Sequence, residues 1–167
     1  GHCLSVNPAF ARMFGYDSPE ELISSITDIG RQIYANPSDR ESIQRLLAER
    51  GNVEAYEAEA YRKDGKKIWI SINAHVMRDN NGAEYYEGTN QDITERKRME
   101  ESLLESEERY RIAIEYSNDG VSLSRGGLNI YVNRKFLDIF GYDKPEEVIG
   151  KSHSITVHPS DRDMVTD

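Results

Sequence analysis

Few residues of this chain have types and spacings that suggest chemistry. The four histidines are His2, His75, His153 and His158, and none of them has the clustered neighbours that a metal or haem site needs. None lies in a helical pattern typical of a phospho-accepting histidine. The chain also has no glycine-rich ATP loop and no Gly-Gly-Asp-Glu-Phe run. We therefore expect surface or loop histidines, no metal site and no catalytic histidine.

Two acidic pairs, Glu20-Glu21 and Glu146-Glu147, have residue types that occur in catalytic carboxylate pairs. Each pair directly follows a proline, which is the position of a first helical turn. Carboxylates in a first turn stabilise the helix through its dipole. With no acid, base or nucleophile cluster, the sequence predicts that the chain is not an enzyme and that any catalytic output domain lies outside it.

Composition and charge exclude several classes of partner. The net charge of −9 argues against nucleic acid or an anionic membrane surface. No apolar run approaches the roughly 18 residues that span a bilayer, so we expect no membrane insertion. The single cysteine, Cys3, excludes an intrachain disulfide framework and favours a reducing, cytoplasmic compartment. We expect Cys3 to be a core or neutral position.

The first part of the chain predicts several short helices in series. An N-cap, a first-turn proline and a terminal glycine bracket a two-turn helix between Asn7 and Gly15. Ser18 and Glu21 have the spacing of a capping box at the start of a second helix. A third helix begins at Ser38.

Past Gly51 the pattern changes from helical to alternating. Residues 53–62 are a strand candidate, Asp64-Gly65 predicts a type I′ hairpin turn, and residues 66–77 alternate strongly. After Asn81-Gly82, residues 83–91 form the next strand candidate. The sequence therefore predicts three antiparallel strands in a meander.

The middle strand has one strongly apolar face. Ile68, Ile70 and Ile72 share that face, and Trp69 lies on the other one, where we also place Tyr85. A sheet with one apolar face needs helices to cover it. The short helices that precede the strands are the candidates.

The longest predicted element is a helix from Glu95 to Tyr116. No glycine or proline interrupts it, and it would be roughly 33 Å long. We expect a homodimer that forms through a coiled-coil-like seam of this helix, and the alternative is a solvated single helix that joins two domains. The seam consists of Met99, Leu103, Ser106, Tyr110 and Ala113.

An internal repeat organises the chain. Residues 6–23 and 132–149 are identical at eleven of eighteen positions, 126 residues apart. Residues 36–40 and 158–162 then match in their Pro-Ser-Asp-Arg segment. Because the period is the size of a domain plus a linker, we expect two copies of one domain.

The two copies carry different parts of this domain. In the second copy, strands at 121–125 and 128–132 precede the repeated segment, whereas the first copy starts near the matching strand. We expect an excised fragment with one domain at 1–93, a linker helix at 94–116 and a second, incomplete domain at 117–167. The strand at 121–125 has the right identity to complete the first sheet, by folding back or from a second chain.

The order of these motifs resembles a PAS domain with its PAC motif. The resemblance depends on the N-P-x-F-x-x-x-F-G-Y segment at 7–16, the P-S-D-R helix at 37–40, the Lys-Asp-Gly hairpin at 63–65 and the ending Asp92-Ile93-Thr94-Glu95-Arg96. Tandem PAS domains of bacterial or archaeal sensor proteins are the most similar. The resemblance implies an α+β fold with a five-stranded antiparallel sheet of order 2-1-5-4-3 and short helices on one face.

The resemblance also implies a function in signal transduction. Such a module relays the state of a ligand or partner through the linker helix to an output domain, which would be a two-component sensor histidine kinase or, as runner-up, a diguanylate cyclase. Asp92, Ile93 and Thr94 would couple the last strand to the helix. From the residues alone, Asp92 can form a capping box with Glu95, and Thr94 is a rival N-cap. The alternatives are that these residues only prevent fraying and that the module is a dimerisation or spacer unit without ligand.

A small-molecule pocket often lies under the sheet in this family. The candidates here are Phe10, Phe14, Ile70 and Ile72, which could line a cavity or simply fill the core. The ligand is unknown. Neither haem nor flavin is supported, since the Asn-Cys-Arg-Phe motif of flavin-binding light sensors is absent.

Overall fold

The computed structural model describes residues 2–157. The chain divides into two compact units, Gly1–Glu100 and Glu101–Asp167, and the division falls inside one long helix. In chain order the elements are α1 Pro8–Met13, α2 Pro19–Ser25, α3 Ile29–Gln32, α4 Pro37–Arg50, β1 Asn52–Tyr61, β2 Lys67–Arg78, β3 Glu84–Asp92, α5 Thr94–Glu115, β4 Ser122–Arg125, β5 Leu128–Val132 and α6 Arg134–Phe140, followed by short 3₁₀ turns at Pro145–Glu147 and His153–Thr156.

Helices α1 and α4 begin at asparagine N-caps. The Asn7 side chain accepts a 2.8 Å hydrogen bond from the N–H of Phe10. Helix α4 begins at Pro37, one residue before the predicted start, because Asn36 caps it. It ends at Gly51, which has a φ of +77° and takes the left-handed conformation that favours glycine.

The capping box predicted at α2 forms only in part. Ser18 Oγ accepts a 3.1 Å bond from the N–H of Glu21, as the spacing predicts. The Glu21 carboxylate does not bond back to Ser18. Instead it accepts from the N–H of Asp17 at 2.8 Å and from Lys63 Nζ. The box is incomplete because of a tertiary contact: Lys63, on the β1–β2 loop, binds the Glu21 carboxylate.

Strands β1, β2 and β3 form an antiparallel sheet in that order. Ala58 pairs with Ile70 across β1 and β2. As predicted, the isoleucine face of β2 is buried: Ile68, Ile70 and Ile72 are only 6%, 1% and 4% exposed. Trp69 is half-buried on the other face. Helix α4 contacts β1 and β2, and the core of the first unit lies between the helices and this isoleucine face.

The hairpin between β1 and β2 is not the predicted type I′ turn. Arg62 and Lys66 are joined by a 2.9 Å bond, and the N–H of Gly65 donates to the carbonyl of Arg62 at 2.9 Å. Gly65 has a φ of +78°, whereas the φ of Asp64 is not positive. A type I′ turn requires positive φ at both central residues. The connection is therefore a three-residue loop that ends in a left-handed glycine.

The second unit contains a hairpin and a short helix with their own small core. Gly126 and Gly127, with φ of +58° and +76°, connect β4 to β5, which pair antiparallel. The side chain of Asn133 caps α6. The core of this unit consists of Val132, Phe136, Leu137 and Val148, with Tyr142 packed against it.

The described residues form one three-stranded and one two-stranded sheet. Within residues 2–157, neither unit assembles the five-stranded order 2-1-5-4-3. The first copy of the repeat is followed by the three strands β1 to β3, and the second copy is preceded by the two strands β4 and β5. Neither copy therefore has five described strands beside it. The repeated residues 158–162 and His158 lie outside the described residues.

Candidate functional site

A groove of about 1220 Å³ lies between the sheet and the helices of the first unit. Phe10, Phe14, Ile70 and Ile72 all line it. The rings of Phe10 and Phe14 are 4.7 Å apart between centroids and tilted by 42°. The structure thus brings together the four residues that the sequence singled out as pocket candidates.

Further apolar residues of the wall were missed by the sequence analysis. Ile43 and Leu47 are both 1% exposed and line the groove from α4. Ile29 at the start of α3 and Ile33 just after its end also line the groove, and the sequence pattern did not predict this helix. The sequence does place Ile43 and Leu47, four residues apart, on one helix face, but it does not indicate that this face lines a groove.

One cation lies on this wall. The Arg40 guanidinium carbon is 5.8 Å from the centroid of the Tyr86 ring. Tyr34 is 7% exposed, and burial raises the pKa of its phenol. The same guanidinium is near the Tyr34 hydroxyl and acts to lower its pKa. The Pro-Ser-Asp-Arg repeat marked Arg40 in the sequence without indicating a role for it.

Strand β3 and residues 2–7 complete the lining. Gly88 lies in this strand opposite Ala74. A Cβ built on Gly88 would lie 2.2 Å from the carbonyl oxygen of Asn73. Glycine is therefore required there, because any side chain would collide with the backbone of β2.

The three predicted relay residues join the sheet to α5. The N–H of Trp69 donates to Thr94 Oγ1 at 2.9 Å, and the N–H of Ile93 donates to the carbonyl of Trp69 at 2.9 Å. Ile93 is 5% exposed. The Asp92 carboxylate accepts a 2.9 Å bond from the N–H of Thr94. Both hydrogen-bonding groups of the Trp69 backbone are therefore bound to the start of the helix.

This geometry corrects the capping arrangement expected from the sequence. Asp92 bonds to Thr94 and not to Glu95, so the predicted capping box does not form. The Thr94 hydroxyl accepts from the strand, so Thr94 does not act as a side-chain N-cap. The first intrahelical bond runs from the N–H of Lys97 to the carbonyl of Ile93.

Ion pairs hold the first turn of α5 against β1. Glu57 accepts from Arg96 Nη2 at 2.5 Å and lies 2.6 Å from Lys97 Nζ. Lys97 Nζ is also 5.2 Å from the centroid of the Trp69 ring. The hydrogen bonds from Lys97 and then Arg96 lower the pKa of the Glu57 carboxyl. Glu57 and Arg96 are exposed to solvent and Lys97 is half-buried, so salt screens much of their attraction.

The middle of α5 exposes the predicted seam. Met99, Leu103 and Tyr110 are 61%, 61% and 71% exposed, and Ser106 and Ala113 are also exposed. As predicted, the helix is uninterrupted from residue 94 to residue 115. No helix in the described part of the chain, this one included, combines the length and apolar character needed to cross a membrane.

The remaining chemistry-bearing residues do not cluster. His75 is half-exposed, with Nε2 3.9 Å from a Glu87 oxygen, and His153 Nδ1 lies 3.0 Å from the carbonyl of Gly127. Cys3 is half-buried, and burial raises the pKa of its thiol. Among residues 2–157 no group of three or more His, Cys, Asp or Glu side chains could hold a metal ion.

Comparison with protein families gives two matches. A family model described as PAS domain matches residues 1–95, and a second model with the same description matches residues 108–165. Between them these matches cover the described helices and strands except for residues 96–107 of α5.

Two curated proteins are similar to nearly the whole chain. Sporulation kinase A of Bacillus subtilis (strain 168) is 27% identical over 168 residues, which cover 99% of this chain and 27% of that protein. The uncharacterized protein y4lL of Sinorhizobium fredii (strain NBRC 101917 / NGR234) is 28% identical over 171 residues, covering 99% of this chain and 20% of that protein. The chain thus spans about a quarter or less of the length of these relatives.

Two solved structures resemble part of this chain. A sensory box histidine kinase/response regulator from Burkholderia thailandensis E264 is 27% identical with a TM-score of 0.46, and the match covers 63% of this chain and 79% of that one. An RNA-binding light-oxygen-voltage receptor is 24% identical with a TM-score of 0.48, covering 63% of this chain and 30% of that one.

Proposed function

Because the chain belongs to the PAS domain family, we propose that it is a sensory module that relays the state of a bound small molecule or partner through α5 to an output domain. The output domain would be a histidine kinase of a cytoplasmic two-component system. The similarity to sporulation kinase A supports this choice. A diguanylate cyclase is the alternative output.

The relay proposal rests on one observation: of two neighbouring residues of β2, one lines the groove and the other is hydrogen-bonded to the start of α5. The side chain of Ile70 lines the groove, whereas the backbone of Trp69 bonds to Ile93 and Thr94. A ligand that changes the twist of β2 would move both groups of the Trp69 backbone. Those groups hold the start of α5, so the helix would move with the strand.

The size of the coupling is adequate for signalling. Each hydrogen bond between Trp69 and the helix start contributes about 0.5–1.5 kcal/mol net. Allosteric coupling free energies are typically about 1–3 kcal/mol, and about 1.4 kcal/mol changes an equilibrium tenfold. Two such bonds are therefore enough to bias an output domain between two states.

The arrangement of strands supports a division of the PAS fold between the two copies. In this proposal β1, β2 and β3 are strands 3, 4 and 5 of the five-stranded order 2-1-5-4-3, and β4 and β5 are strands 1 and 2. The first PAS domain then spans residues 1–93, the linker helix 94–116 and the second PAS domain 117–167. Asp92, Ile93 and Thr94 form the relay of the PAC motif.

A specific observation favours a second candidate function, a dimerisation or spacer module without ligand. Met99, Leu103 and Tyr110 expose apolar surface along one seam of α5. A second copy of the helix would cover that seam in a coiled coil. A homodimer is compatible with both functions, so the two differ only in whether the groove influences the helix.

Amide hydrogen exchange of the chain tests the relay. The substitution Ile72→Ala alters the groove, and Thr94→Val removes the acceptor of the Trp69 N–H while keeping the shape of the side chain. We expect Ile72→Ala to change exchange in residues 97–104, and we expect the change to be much smaller when Thr94→Val is also present. Thr94→Ser is the matched control, because it keeps the hydroxyl.

The double-mutant comparison separates the two functions. If the effects of Ile72→Ala and Thr94→Val on residues 97–104 simply add, the groove and the helix are not coupled through Thr94. If Ile72→Ala leaves exchange in those residues unchanged, the spacer function is favoured and the relay is wrong.

A further inference from the structure

The groove contains one cation that the relay does not use. Arg40 lies in the first turns of α4 and is half-buried. Within residues 2–157, no Asp or Glu oxygen lies within the 4.0 Å of an ion pair with its guanidinium. Most arginines that leave bulk water pair with a carboxylate, so this lack of a partner calls for a physical reason.

The surroundings of Arg40 hold the guanidinium in position without satisfying it. The Tyr86 ring lies 5.8 Å from the guanidinium carbon and restricts its plane. The Tyr34 hydroxyl is near enough for the Arg40 charge to lower its pKa against the effect of burial. A guanidinium has five N–H donors, and one hydroxyl oxygen cannot satisfy them. The unused donors suit a planar acceptor such as a carboxylate, which arginine binds through two parallel bonds.

The rest of the groove determines what else the ligand must be. Phe10, Phe14, Ile29, Ile43 and Ile72 give it an apolar wall. Its volume of about 1220 Å³ is at least that of the usual ligand site, about 300–1,000 Å³. Three carboxylates, Glu84, Glu87 and Asp92, line the groove as well. Each has a partner of its own: Arg78 Nη2 at 2.8 Å, His75 Nε2 at 3.9 Å and the N–H of Thr94 at 2.9 Å, respectively. Arg40 therefore remains available to the anion of a ligand.

We propose that the groove of the first unit binds an apolar molecule with a single carboxylate, and that Arg40 holds this carboxylate. The inference rests on the proposed sensory function, since it names the chemical class of the ligand. A single negative charge matches the single cation, and an alkyl or aryl body matches the phenylalanine and isoleucine side chains.

Octanoate and 1-octanol are matched probes for this proposal, since they share an alkyl chain and differ in charge. Calorimetric titration of the whole chain at pH 7 compares their affinities. We expect octanoate to bind about tenfold or more tightly than octanol, because hydrogen bonds between charged groups are about twice as strong as neutral ones. The substitution Arg40→Gln should abolish this preference and leave the affinity for octanol unchanged.

A control variant on the same helix tests whether the loss of any positive charge has the same effect on octanoate binding. Arg45 lies on α4, is exposed and does not line the groove. Arg45→Gln changes the net charge by the same amount as Arg40→Gln, and it should keep the preference for octanoate. Circular dichroism and the thermal midpoint of each variant establish that it is folded.

Cys3 provides a second measurement within the groove, because it is the only cysteine of the chain and lines the same wall. We expect octanoate to slow the alkylation of Cys3 by iodoacetamide in the wild type and not in Arg40→Gln. Burial raises the pKa of the Cys3 thiol and Arg40 lowers it. Each protein is therefore compared with its own rate in the absence of ligand, by intact mass.

Three results would overturn the proposal: equal affinity for octanoate and octanol, a preference that survives Arg40→Gln, or no binding of either probe at millimolar concentration. None of these results bears on the coupling between Ile72 and Thr94, which is measured without ligand. Conversely, a failed coupling experiment leaves the binding measurements valid.

Discussion

The backbone N–H of Trp69 donates a 2.9 Å hydrogen bond to the side-chain hydroxyl of Thr94. The two residues are 25 positions apart, and one lies in a strand while the other starts a helix. The carbonyl of Trp69 accepts from Ile93 as well. Trp69 therefore holds the start of α5 through both its backbone N–H and its carbonyl. A large movement of the helix would break these two hydrogen bonds.

Removal of the Thr94 hydroxyl should destabilise the first unit. Thr94→Val leaves the partly buried N–H of Trp69 without an acceptor, so we expect a loss of about 1–2 kcal/mol in the free energy of unfolding. Thr94→Ser should lose less than half of that amount. Trp69 is the only tryptophan, so its fluorescence during urea unfolding reports on this unit. Equal stabilities of the valine and serine variants would show that the hydroxyl contributes nothing.

The exposed seam of α5 predicts a dimer that depends on Leu103. We expect Leu103→Arg to convert a dimer into a monomer in light scattering after size exclusion, because a charge in the seam opposes apolar packing. Glu101→Arg places arginine on the same helix at a position outside the 99, 103, 106 seam and should leave the mass unchanged. Weak complexes have dissociation constants on the order of micromolar, so the dimer should be present at about 100 μM. A wild-type chain that is monomeric at that concentration would contradict the prediction.

Acid should weaken the attachment of α5 through Glu57. The pKa of Glu57 is lowered in the folded chain, by Lys97 first and then by Arg96. A lowered pKa means that the contribution to stability is present above the ordinary carboxyl pKa and is lost as the pH falls through the lower, folded value. Between about pH 5 and about pH 3, the range in which carboxyl groups take up protons, we expect the thermal midpoint of Glu57→Gln to fall less than that of the wild type. Trp69 fluorescence measures the midpoint.

Glu59 supplies the control for that experiment. It lies on the same strand two residues further on and pairs with Lys67 at 2.8 Å. Glu59→Gln removes the same charge from the same face without touching α5. If both variants show the same pH dependence, the acid effect is a general charge effect and does not come from the attachment of the helix.

Gly88 should tolerate no side chain. A Cβ at this position would lie 2.2 Å from the carbonyl oxygen of Asn73, so β3 must shift away from β2. We expect Gly88→Ala to destabilise the first unit by about 1–3 kcal/mol, the usual cost of overpacking. Thr89→Ala, at the exposed neighbouring position, should change the stability by less than about 0.5 kcal/mol. Urea unfolding measures both, and a neutral Gly88→Ala would contradict the geometry.

Asn133 and its repeat counterpart Asn7 should respond very differently to the same substitution. The Asn133 side chain is fully buried and forms four hydrogen bonds, two of which donate to the carbonyls of Ile114 and Asp119. Asn133→Asp replaces these donors with a carboxylate that faces carbonyl oxygens. We expect the second unit to lose about 2–4 kcal/mol, measured by hydrogen exchange in residues 128–140.

Asn7→Asp should be nearly neutral. Asn7 is exposed and accepts one bond, from the N–H of Phe10, a role that aspartate fills equally well. Exchange in residues 8–14 measures the response. Equal destabilisation by both substitutions would show that the additional hydrogen bonds of Asn133 contribute nothing to stability.

Local patterns were sufficient for much of the fold. The helix predicted from Glu95 to Tyr116 is observed as Thr94–Glu115, since an unbroken run of helix-forming residues depends only on near neighbours. The alternation that buries Ile68, Ile70 and Ile72 and the N-cap at Asn7 are equally local. The repeat and its motifs identified the family before any contact was known.

The amino-acid sequence alone determined most of the helices and strands, the apolar face of β2 and a set of residues that could line a groove. Only the tertiary structure decided that Thr94 bonds to Trp69, that Glu21 bonds to Lys63, and that Arg40 lies over the Tyr86 ring. These contacts join residues far apart in the chain. Periodicity and capping act over about four residues, whereas partners across a sheet or groove are selected by how whole elements pack.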